Sequence, residues 1–67
     1  MGADLEPIRE RLEAIAEELA DLALDALRRA IASGATGRPA DERRLTRART
    51  AVQKAIGLLH DVDDVED

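Results

Sequence analysis

LEPIRERLEAIAEELADLALDALRRAIASG, residues 5–34, is the stretch whose reading decides the fold. Its residues Leu5, Ile8, Leu12, Ile15, Leu19, Leu22 and Ala26 are spaced alternately three and four apart. That period places them on one stripe of an α-helix and gives three heptads of the kind that packs helix against helix. Asp4 stands just ahead, with a side-chain oxygen suited to the free N–H groups of a first turn. Pro7 falls inside that turn, where its missing donor is harmless. No further Gly or Pro intervenes before Gly34, the residue type that most readily closes a helix in the left-handed conformation. Arg28 and Arg29 bring positive charge to the negative end of the helix dipole. The expectation is a first helix over about residues 5–33.

Downstream lies a short connection, residues 34–38, with Gly34 and Gly37, followed by Pro39, which suits the first turn of a new helix. Asp41 and Glu42 are favourable there for the same electrostatic reason. Leu45, Ala48, Val52, Ala55, Leu59 and Val62 repeat the three–four spacing, flanked by Ile56 and Leu58. A second helix over about residues 39–62 follows. It is expected to run through Gly57, whose missing side chain would admit a close crossing by a neighbouring helix. Residues 63–67 form an acidic tail, expected to fray and to act as a solubilising end. Two alternatives for this end are a fold-back of residues 61–67 onto Arg9 and Arg11, and a docking motif using Val62 and Val65. Nothing in the chain alternates as a strand would. Two heptad stripes and a short loop make one all-α domain over residues 1–67, an antiparallel helical hairpin.

The first helix carries more apolar surface than one partner helix covers. Ala20, Leu24, Leu27 and Ile31 form a second group, on a different side from the main stripe. Apolar character on two sides is what a helix inside a bundle needs. The hairpin is therefore expected to dimerise into a four-helix bundle with twofold symmetry, with Leu24, Leu27, Ile31 and Ile56 at the dimer or partner interface. Size points the same way. The chain has 67 residues, no cysteine and no aromatic residue, and 13 of its residues are alanine. Small domains without disulfides or metals often complete their core with a second copy. Alanine beside the apolar arcs also permits close helix approach, although alanine is equally the best helix former.

Composition excludes several function classes. Without cysteine there is no disulfide scaffold and no thiolate metal site; without aromatics there is no platform on which bases stack. The net charge of −5 argues against indiscriminate binding to nucleic acid or anionic membrane. The distribution is uneven: residues 1–33 carry net −4, residues 34–60 net +4 and residues 61–67 net −5. No apolar run is long enough to span a bilayer, and the start of the sequence lacks the pattern of a signal peptide or of a myristoylation site. Cytoplasmic residence is the expectation. The Arg- and Ala-rich composition matches what GC-rich bacterial codons give.

Three charged or reactive features need weighing. Glu6, Glu10, Glu13, Glu17, Asp21 and Asp25 line one face of the first helix. They spread over many turns instead of converging as metal ligands do, which leaves a solvated face or a docking surface for a basic partner. Arg43, Arg44, Arg47 and Lys54 give the second helix a basic side, a candidate contact for an anionic partner. Antiparallel pairing brings Arg47 level with Asp25 and Lys54 level with Glu18, so charge matching within the chain or across a dimer accounts for the same residues. His60 and Ser33 are the sole histidine and serine, and neither has a partner spaced for catalysis or metal binding. The expected function is a non-enzymatic protein-interaction or assembly module without cofactor or metal. A small regulator binding RNA or DNA through the basic side of helix two is the alternative.

Overall fold

The computed structural model describes residues 4–34 and 37–64, with no side-chain detail beyond Val62. Two helices make up the fold, α1 over Glu6–Ala32 and α2 over Ala40–Asp64, packed side by side in a hairpin; no strand occurs among the described residues. The molecule is a slender rod, 56 × 16 × 10 Å. Among the described residues no helix is long and apolar enough to cross a membrane.

Local chemistry accounts for the ends. The Asp4 carboxylate accepts a hydrogen bond from the Glu6 N–H at 3.1 Å, but the N-cap is Leu5, one residue later than the expected Asp4, and no side chain caps it; Pro7 sits in the first turn. At the far end the Ser33 N–H donates to the Arg29 carbonyl (3.1 Å) and the Gly34 N–H to that of Ile31 (3.0 Å). Gly34 has φ +85°, a left-handed closure that an L side chain would strain. Gly37 is also left-handed, at φ +77°. In α2, the Pro39 carbonyl accepts the first helical bond, from the Arg43 N–H at 3.1 Å.

α2 continues through Gly57, as expected. The expected close crossing there has no counterpart within the chain, since a Cβ at Gly57 would meet nothing within 4 Å. The helix also runs two residues past the expected limit at 62, to Asp64. Acidic residues at a helix C-terminus cost only about 0.3–1 kcal/mol each, too little to stop a helix already packed. Expectations for residues 65–67 lie outside the described residues.

The seam between the helices differs from the simple stripe. On α1, Leu5, Leu12, Leu19 and Ala26 are half-buried, and the fully buried positions are Ala16 (6% exposed) and Ala23 (7%). Ile8, Ile15 and Leu22, which belong to the same heptad stripe, are exposed. The physical reason is size. A seam centred between the leucine row and the alanine row lets the backbones approach closely, and the Ile8–Ile15–Leu22 row is thereby turned outward. α2 behaves alike: Leu45, Val52, Ile56 and Leu59 are half-buried, whereas Ala48, Leu58 and Val62 are exposed.

Candidate interaction faces

A two-helix rod has two open sides, and here they differ in chemistry. One side holds a groove lined by Leu22, Ala26, Arg29, Asp41, Arg44 and Leu45. At about 100° per residue, Ile8 and Ile15 lie on the same flank of α1 as Leu22, and Leu58 and Val62 on the same flank of α2 as Arg44. Five of the exposed large apolar side chains, Ile8, Ile15, Leu22, Leu58 and Val62, thus fall on this one side, with exposed Ala48 and Ala51 between them. Leu58 (58%) and Val62 (57%) are the most open of the five.

The opposite side holds a groove lined by Glu13, Ala16, Glu17, Arg49, Gln53 and Ile56. It is polar along the half of the rod that holds the termini. Near the loop, Leu24 and Ile31 (65% exposed) share this flank. The four expected interface residues therefore do not form one patch. Leu24 and Ile31 are exposed close to the loop, Leu27 is half-buried, and half-buried Ile56 stands several turns away against the Glu13–Glu17 groove. Sequence reasoning placed Ile8, Ile15, Leu22 and Val62 in the seam and so missed their outward side. The signal that could have found it is the alanine row Ala16, Ala23 and Ala30, which offers the second helix a closer approach than the row through Ile15.

The charges occupy the outer edges of the rod. Glu10, Asp21 and Asp25 are exposed on the back of α1; Arg43, Arg47 and Lys54 are exposed on the back of α2, with Arg44 on the apolar flank. Among the described residues, neither Arg47 nor Lys54 forms an ion pair with a carboxylate of α1. The grooves put each expected pair about a turn apart in level, and both members of each pair lie behind their helices, so matching within one chain fails on direction. Among the described residues, the ion pairs join near neighbours in sequence, Arg9 with Glu6 and Arg38 with Glu42.

Among the described residues, the Arg38–Glu42 pair anchors the most extensively hydrogen-bonded side-chain cluster. Arg38 donates from Nε to Glu42 Oε1 (2.6 Å) and from Nη2 to Oε2 (3.0 Å), while Thr46 Oγ1 donates to Oε2 at 2.9 Å. Arg43 Nη1 donates to the Arg38 carbonyl at 2.7 Å, joining the loop end to the first turn of α2. The Arg38 hydrogen bonds hold the Glu42 carboxyl below its ordinary range, with Thr46 and the charges of Arg38 and Arg43 adding to that. The guanidinium of Arg38 is raised in turn by the hydrogen bond and charge of Glu42. This cluster ties the loop end to the first turns of α2.

Ser33 spends its hydroxyl on the Ala30 carbonyl at 2.9 Å beside the loop, and exposed His60 stands at the other end of the rod. Among the described residues, no group of three or more His, Cys, Asp or Glu is placed to hold a metal ion. No family model matches this chain, and neither a curated protein nor a solved structure matches it.

Proposed function

We propose that this chain is a non-enzymatic interaction or assembly module that works as a homodimeric four-helix bundle. The observation that carries the reading is the poverty of the core in one hairpin. Among the described residues only Ala16, Ala23 and Glu42 are buried, and no large apolar side chain is fully enclosed. Burying a Leu, Ile or Val side chain is worth about 1.5–3 kcal/mol, and a lone hairpin forgoes much of that at each exposed position. Rows facing the sister helix and an adjacent outward row together make the broad apolar arc of a bundle helix. Residence in the bacterial cytoplasm fits the composition and belongs to this proposal. Sedimentation equilibrium at micromolar concentration tests it: the expected mass is twice 7.3 kDa, and a stably folded monomer overturns it.

A second reading rests on one specific observation, the exposure of Arg43, Arg44, Arg47 and Lys54 without α1 carboxylates to neutralise them. In it the chain is a small regulator whose basic edge binds RNA or DNA phosphates. Retention on nucleic acid would then fall steeply with salt and be lost in Arg43→Glu plus Arg47→Glu. Absence of binding at low salt removes this reading.

A further inference from the structure

We draw no further inference here: the strongest candidate, the apolar side of the rod bearing Ile8, Ile15, Leu22, Leu58 and Val62, carries exposed Arg11, Arg29 and Arg44 together with exposed Glu18 and Asp41 along its flanks, and nothing in the structure shows what covers it.

Discussion

The two open sides of the hairpin show what one helix period can encode. Both are built from the same two helices and flank the same seam. One presents isoleucine, leucine, valine and alanine along most of the rod, and the other presents Glu13, Glu17, Arg49 and Gln53, with its exposed large apolar residues, Leu24 and Ile31, near the loop. The seam itself is served by alanines and half-buried leucines, so the larger side chains are left over on one flank. A hairpin whose bulk lies outside its own seam is organised for a second layer. The polar side has groups that lose hydration energy when covered, and it is the side suited to remain wet.

The largest expected effect breaks this asymmetry. Ile15→Glu plus Leu22→Glu puts four charges into the face of a dimer where about 1.5–3 kcal/mol of apolar burial is lost at each position. Each 1.4 kcal/mol is a factor of ten in association, so self-association at micromolar concentration should disappear, together with much of the thermal stability. Glu13→Gln plus Glu17→Gln, the matched change on the other side, should leave the sedimenting mass unchanged. Equal sensitivity of the two sides would refute the distinction between them.

Much of this was legible in the residues, and the failures are instructive. The heptads from Leu5 to Ala26 and from Leu45 to Val62, the closure at Gly34 and the short connection marked both helices to within a few residues. The azimuth of the seam was not legible from apolar period alone. A stripe three rows wide can meet its sister helix on either pair of rows, and the pair containing Ala16 and Ala23 wins because small residues let backbones approach. The charges failed in the same manner. Arg47 and Asp25 lie about a turn apart in level, but level fixes only one coordinate of a contact, and both residues sit behind their helices. Of the candidate interface residues, Leu24 and Ile31 stand exposed near the loop whereas Leu27 and Ile56 are half-buried, a difference that the apolar period alone does not fix.

Backbone substitutions sharpen the comparison between the loop and the interior of α2. Gly34→Ala forces an L residue to φ +85° and should cost about 1–2 kcal/mol. For a chain of this size that is a fall in Tm of roughly 4–16 °C at fixed protein concentration. Gly57→Ala should act in the opposite sense. An added Cβ meets nothing within 4 Å, and the position lies on the outer flank of α2, away from the apolar side. Relief of the glycine penalty should stabilise by about 1 kcal/mol. A loss of stability at Gly57→Ala would instead mean that another helix packs against that edge, and would place the partner on a different face.

The smallest effect concerns the loop end and is read through pH. Glu42 titrates below its ordinary range when folded, first because Arg38 hydrogen-bonds its carboxylate. A carboxyl with a depressed folded pKa binds fewer protons than its unfolded counterpart, so its contribution is present in full above the unfolded pKa. As pH falls through that value and then through the folded one, the contribution is lost. Glu42→Gln keeps the size of the side chain and removes the titration. Wild type should therefore melt at a slightly higher temperature than the variant near neutrality, and the difference should shrink as the solution is acidified. Arg38 stays charged throughout this range, since its own pKa is raised, so the change belongs to the carboxylate. A gap that held constant down to strongly acidic pH would mean that packing of Glu42 against the start of α2, and not its charge, holds that end of the rod.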